Sequence, residues 1–289
     1  MKTDNIFNFS RFGKYLVSDI RRCAANFGIS FLVIVLTGLF LYLIVGTMSL
    51  VTGEGWLASN ALARTIYLLI SFAVLIVSMP VKCYGFITDR KAGANWLMVP
   101  VSTTEKFVSM LINCLIILPA AFFACTLAID WLIVVIDPYA SMTIPEGFKE
   151  LVDMIAAEAS QESEVNALIS NFMNENMLLR GAVDDFMAMI LVFLLGALFF
   201  KTNKAAKTIL AWIAAGSILS MIMAPIGMML AGNLEAETIN AISSGDLNAS
   251  IDFANSFIPK VLGIDTLFDA LLLIGTATAI FFRIKTIKH

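Results

Sequence analysis

The sequence predicts an all-α protein that crosses a membrane six times. Three observations predict it: a shortage of charge, apolar runs of spanning length, and a lopsided placement of Lys and Arg. Of the 289 residues, 59% are hydrophobic and 14% are charged, against about 25% charged in a soluble domain. The mean hydropathy is +0.87. A bilayer core takes about 20 apolar residues as a helix. Spans are expected at about 28–50, 62–83, 105–130, 183–200, 207–231 and 261–284, within a single membrane domain, 1–289.

The stretch Cys23–Gly53 holds no charge and supplies the first span. Before it, Phe9, Phe12, Leu16 and Ile20 recur at helical spacing among Arg11, Lys14, Arg21 and Arg22. That pattern predicts an amphipathic elbow helix lying on the inner surface and leading into the first span. The first apolar run exceeds the hydrophobic region of a cleavable signal, so it is expected to remain in the protein. The fourth span is short, and the sixth carries Asp265 and Asp269. Pro119 and Pro225 fall inside spans, where neighbouring helices satisfy the freed carbonyls.

With a cytoplasmic N-terminus, fifteen of the nineteen basic residues fall inside, leaving Arg64, Lys149, Arg180 and Lys260 outside. This is the positive-inside pattern, and it places both termini in the cytoplasm of a cell-membrane protein. Trp56 and Trp131 fall at the outer boundary, Trp96 and Trp212 toward the inner one, as interfacial tryptophans do.

The segment 138–182 is predicted as short extracytoplasmic helices. Phe148, Leu151, Val152 and Ile155 form one apolar stripe, and Val165, Leu168, Ile169, Phe172 and Met173 another. Pro145 suits a first helical turn, and Gly181 reads as a stop. Between spans five and six, 233–260 has weaker periodicity. Acids gather at the outer span ends. Asp130, Asp265 and Asp269 are candidates for a polar vestibule, paired with Lys260 and Arg180 or serving a cation or proton. Asp265 and Asp269 share a helix face.

Several chemistries are excluded. The net charge of −3 argues against nucleic acid as a partner. The single histidine is His289, so a catalytic triad or a histidine metal site is not expected. Cys23, Cys83, Cys114 and Cys125 read as inert buried thiols; on one helix the last two lie about 16 Å apart, too far for a disulfide. No GxxxxGK[ST] phosphate loop occurs. The chain is therefore expected to have no enzymatic activity and no cofactor of its own.

One compact charged segment interrupts the apolar chain, Tyr84 to Phe107. Ser102-Thr-Thr-Glu105 is a capping box that starts the third spanning helix. Asp89 to Met98 is expected as a short helix at the membrane surface, with Trp96, Leu97 and Met98 as its apolar end. At these residues the chain resembles the type 2 permeases of ATP-binding-cassette exporters. The resemblance rests on Asp89-Arg90-Lys91, Gly93, Leu97-Met98, Pro100-Val101-Ser102 and Glu105, with the elbow and six spans around them. The spacing from Gly93 to Pro100 is shorter than that family's, and its members have little chain where 138–182 lies.

The resemblance implies a permease subunit of an ATP-driven exporter, working as a homodimer or heterodimer. A separate cytosolic ATPase subunit would engage Asp89, Arg90, Lys91, Gly93, Trp96, Leu97 and Glu105, with Phe12, Leu16, Arg21 and Arg22 on the elbow. Two alternatives stand beside it: an ion-coupled carrier using the outer aspartates, and a membrane scaffold or sensor that transports nothing.

Overall fold

A computed structural model describes residues 7–51, 61–137, 143–162, 175–221, 225 and 268–287. Among them every regular element is helical. The helices are α1 (Phe9–Val51), α2 (Ala61–Tyr84), α3 (Arg90–Met98), α4 (Thr103–Leu111), α5 (Leu118–Ile136), α6 (Ile144–Glu162) and α7 (Glu175–Phe199). Two more follow, α8 (204–221) and α9 (268–286). A 3-10 turn, Gly85–Thr88, links α2 to α3, and a π-helical turn, Ile112–Ile117, joins α4 to α5.

Three of these helical stretches are long and apolar enough to cross a membrane: Phe9–Met48, Arg64–Thr88 and Thr103–Ile136. They coincide with the first three predicted spans. Helices α7, α8 and α9 fall where the other three are expected. Helix α7 carries Glu175, Arg180, Asp184 and Asp185 in its first half, and Asp265, 222–224 and 226–231 lie outside the described residues.

The core lies between α1, α2, α5, α7 and α9. Phe27, Phe72, Leu75, Ile76, Met79, Phe122, Leu194 and Ile280 are all buried in one cluster. Phe72 is its centre, with Phe122, Phe123 and Phe186 rings at 5.6, 4.8 and 4.9 Å. The outward positions are also apolar: Ile29, Leu32, Val33, Ile70, Val74, Ile116 and Val135 are exposed. A helix apolar all round is the pattern of a chain whose solvent is lipid.

Polar side chains that bond between helices gather in two groups. One level holds Arg22 on α1, Tyr84 on α2 and Ser109 on α4. The other holds Tyr42 on α1, Arg64 on α2 and Asp130 on α5. Along the three paths the levels are separated by 20, 20 and 21 residues. At 1.5 Å per residue that is about 30 Å, the thickness of a bilayer's hydrocarbon core.

Several local expectations are corrected. No break separates the residues predicted as an elbow from the first span. Phe12, Leu16, Arg21 and Arg22 are early turns of a 43-residue α1, which no proline interrupts. Gly181 does not stop a helix; α7 runs through it, with open space around its Cα. Trp96 is not an interfacial ring but is buried. Cys23, Cys83 and Cys114 are buried, whereas Cys125 is exposed. The second stripe, Val165 to Met173, lies outside the described residues, as does 233–260. The first stripe does fall on a helix, α6, with Pro145 in its first turn.

Pro119 sits at the start of α5, directly after the π-helical turn. Its missing N–H would break an α-helical ladder, and the wider π turn absorbs that defect. Helix α8 folds back on α7 through Phe200–Asn203, where Asn203 takes the left-handed conformation at φ 49°. The return is tight. A Cβ placed on Gly196 would lie 1.9 Å from Thr208 Oγ1 and 2.8 Å from Thr208 Cβ. Small residues allow this kind of approach between membrane helices. Gly196→Ala is therefore expected to lower stability by about 1–3 kcal/mol, and adding Thr208→Ala to recover part of it. Thermal unfolding of the detergent-solubilised variants checks both.

Candidate functional site

The charged segment between α2 and α4 is built on a framework of buried polar contacts. Ser102 caps α4: its Oγ accepts from Glu105 N at 3.2 Å, and Glu105 Oε2 accepts from Ser102 N at 2.9 Å. The predicted capping box is present in both directions. Glu105 reaches further. Its carboxylate accepts Arg11 Nε at 3.0 Å, Arg11 Nη2 at 2.9 Å and the backbone N–H of Asn8 at 2.8 Å. The start of α1 is thereby held against the start of α4, and Glu105 is fully buried.

One turn along α1, the Tyr15 hydroxyl accepts the indole N–H of Trp96 at 3.0 Å. The Lys106 ammonium lies 4.6 Å from the Trp96 ring centroid and donates to the Trp96 carbonyl at 2.9 Å and the Leu97 carbonyl at 3.3 Å. These are last-turn carbonyls of α3, and that of Trp96 also accepts the Val99 N–H at 3.4 Å. A further turn along, Asp19 accepts Tyr84 Oη and Ser109 Oγ, each at 2.8 Å, and pairs with Arg22. The Arg22 guanidinium also lies 4.5 Å over the Phe86 ring. Asn113, in the π turn, donates to Tyr84 Oη and Cys23 Sγ at 3.0 Å.

Other predicted inner segments meet the same framework. Lys204 at the start of α8 donates to the Gly85 carbonyl and lies 3.6 Å from Asp89. Arg283 on α9 donates to the Leu198 carbonyl at 3.1 Å and sits 5.0 Å over the Phe199 ring. A basic side chain thus satisfies the last turn of α7.

The predicted site residues divide in two. Asp89, Arg90 and Lys91 are exposed on the first turn of α3, with Asn95 and Met98 further along. Gly93, Trp96 and Glu105 are buried beneath them, and Leu97 is partly buried. Trp96 and Glu105 were expected to face a partner; both are instead occupied inside the chain, holding the exposed edge in place. Of the α1 residues, Arg21 is exposed, while Phe12, Leu16 and Arg22 are partly buried.

At the opposite level, Asp130 is not an open carboxylate. Its Oδ1 pairs with Arg64 Nη1 at 2.5 Å and its Oδ2 accepts the Ile144 N–H at 2.7 Å. Thr65 Oγ1 donates to the Ile144 carbonyl at 3.2 Å, and Tyr42 donates to Asp137. These contacts pin the first residue of α6 onto α2 and α5. Pairing with Arg180 or Lys260 does not enter: Lys260 and the Arg180 side chain lie outside the described residues. Asp265 does too, and Asp269 is partly buried on α9. No group of three or more His, Cys, Asp or Glu suited to a metal ion occurs among the described residues.

Sequence reasoning missed Asn8, Tyr15, Asp19, Tyr84, Ser109 and Asn113. A signal for Asp19 was present. On the predicted topology only Asp4, Asp19, Asp89 and Glu105 are acids on the basic inner side, and three of those four carry ion pairs in the structure. An acid in basic surroundings is a pairing signal.

Glu105→Ala strands Arg11 and the Asn8 N–H and removes half of the cap. Thermal unfolding should show a loss larger than the 0.5–2 kcal/mol usual for a cap alone (about that range). Asp130→Ala leaves Arg64 buried without its carboxylate, at a cost of about 3–5 kcal/mol. Arg64→Met with Asp130→Leu should be milder than either single change. Thermal melts of all three variants in one detergent give the comparison.

Comparison with protein-family models, with curated proteins and with solved structures finds no match to this chain.

Proposed function

We propose that the chain is the membrane-spanning subunit of an ATP-driven exporter, with six spans and both termini in the cytoplasm. A separate cytosolic ATPase drives it through the exposed edge of α3. The observation that carries this reading is the division of the α2–α4 segment into a buried brace and an exposed edge. Trp96, Glu105 and Lys106 fix α3 to α1 and α4, so a push on Asp89, Arg90 or Lys91 moves two long helices rather than a slack loop.

Helix α1 adds to the surface. Arg22 marks the inner level, and Phe9 lies 13 residues before it, about 20 Å at helical rise. The early turns of α1 therefore stand beside α3 in the cytosol as one docking face. Exposed Phe9 and Met98 supply apolar anchors of the kind that dominate interfaces. The two permease copies that the resemblance implies complete the pathway.

The ion-coupled alternative loses Asp130, whose two oxygens serve Arg64 and the Ile144 N–H. Nothing in the site favours a scaffold over a transporter, and the braced lever has no task in a passive scaffold.

Replacing Arg90 and Lys91 together with alanine tests the reading, Asp89 being left in place to keep its pairing with Lys204. These side chains are exposed, so the thermal midpoint should hold while recovery of the ATPase by affinity purification from detergent falls at least tenfold (about 1.4 kcal/mol or more). Unchanged recovery would remove the docking role. In intact cells, Lys91→Cys should resist an impermeant thiol reagent that labels Asp185→Cys, both in a Cys125→Ser background. The reverse labelling would invert the topology.

A further inference from the structure

A serine or threonine inside a helix has a ready partner in the carbonyl one turn earlier. Thr37, Ser78, Thr126 and Thr276 each donate to the carbonyl four residues before them, at 2.7–2.8 Å. Ser71 on α2 does not. It is 8% exposed, and its hydroxyl bonds to no other described residue. A hydroxyl left unpaired in hydrocarbon is costly, because bulk water cannot reach it to complete the bond.

Ser71 faces a cavity of about 40 Å³ between α1, α2 and α5. Arg64, Tyr67 and Ser71 line it from α2, and Thr126 and Asp130 from α5. Their i, i+3, i+7 and i, i+4 spacings put each set on one helix face. Gly38 lines it on α1, and a Cβ placed there would meet nothing within 4 Å. From Arg64 to Ser71 is seven residues, about 10 Å along the axis. Polar lining thus runs from the Arg64–Asp130 pair toward the core, whose aromatic cluster begins with the very next residue, Phe72.

Size and chemistry point to the same occupant. A water needs about 10–15 Å³ of such space, so the cavity admits about one to three. Each water also needs about two to four polar partners. Ser71 and Tyr67 offer O–H donors that serve no other described residue. Thr126 gives its proton to the Phe122 carbonyl and keeps oxygen lone pairs to accept with. A carboxylate has about four acceptor sites; on Asp130 the Arg64 guanidinium and the Ile144 N–H take one each. Arg64 disfavours a cation here and Asp130 an anion. Water, which both donates and accepts, suits all of these groups.

We propose that this cavity is a hydration site, in which ordered water bridges the Ser71, Tyr67 and Thr126 hydroxyls to the Arg64–Asp130 pair. The site rests on the packing of α1, α2 and α5 and stands apart from the ATPase-driven reading.

The test is X-ray radiolysis of the full chain in lipid nanodiscs, with oxidised side chains located by mass spectrometry. Radicals born on enclosed water attack the side chains touching it, out of reach of a scavenger in the bulk. Oxidation of Tyr67 should persist at a scavenger concentration that quenches the exposed Phe9, and should exceed that of the buried Phe122 several-fold. Gly38→Leu fills the cavity and should abolish the persistent label. Gly28→Leu, elsewhere on α1 and also with open space at its Cβ, should leave it unchanged. Ser71→Ala should lower it.

A Tyr67 label that is absent, or is quenched together with Phe9, overturns the site. So does a label that survives Gly38→Leu. A label untouched by Ser71→Ala overturns the part given to that hydroxyl. The scavenger comparison is made on the unaltered chain, so it decides even where Gly38→Leu does not fold.

Discussion

A buried polar group in hydrocarbon must find its partner within the protein, because no water is there to accept the bond. That constraint organises the whole molecule. Arg22, Tyr84 and Ser109 collect at one level, and Tyr42, Arg64 and Asp130 at another, about 30 Å away along α1 and α2. Between the levels lie aromatic and aliphatic side chains centred on Phe72. Exposed apolar residues outside and a spaced pair of polar layers inside are two consequences of one solvent.

The inner layer does more than satisfy bonds. Asp19, Glu105 and Trp96 each join α1 to a residue eighty to a hundred positions away in sequence, through Ser109, Arg11 and Tyr15. Glu105 alone caps α4, holds Arg11 and receives the Asn8 N–H. A carboxylate with this many donors stabilises the segment only while all of them are present; losing one partner leaves the others desolvated and underused. This is why the same loop contains both buried, multiply bonded side chains and exposed ones.

Much of the fold was legible in the sequence because the signals were long or local. Uncharged runs gave the first three spans, and Ser102 with Glu105 gave a capping box that the structure reproduces in both directions. Pro145 and the stripe from Phe148 gave α6. What was not legible depended on pairings between distant residues. Nothing near Trp96 says that Tyr15 lies under it, so an interfacial ring and a buried one look alike in sequence. Gly181 reads as a stop until the helix around it is seen to continue into a span. The residues of the expected elbow run on into the first span as one helix: an amphipathic pattern reports which faces are wet but not whether the backbone bends between two such patterns. Asp130 looked like an ionic candidate because its partner, Arg64, is sixty-six positions earlier.

Two of the three helical paths that cross from one polar layer to the other differ in stiffness. Helix α1 is a single hydrogen-bonded ladder of 43 residues, anchored near its start through Arg11 and Asp19 and near its end through Tyr42. The path from α4 to α5 contains six residues of π-helix followed by a proline, where one turn is wider and a carbonyl lacks its usual donor. Strain applied at the basic end is transmitted whole along the first path, while the second has a joint at which rotation is taken up. Motion of the α3 edge would then appear at the far surface as a twist of Asp130 and its pinned helix against Tyr42, rather than as a uniform slide of the bundle.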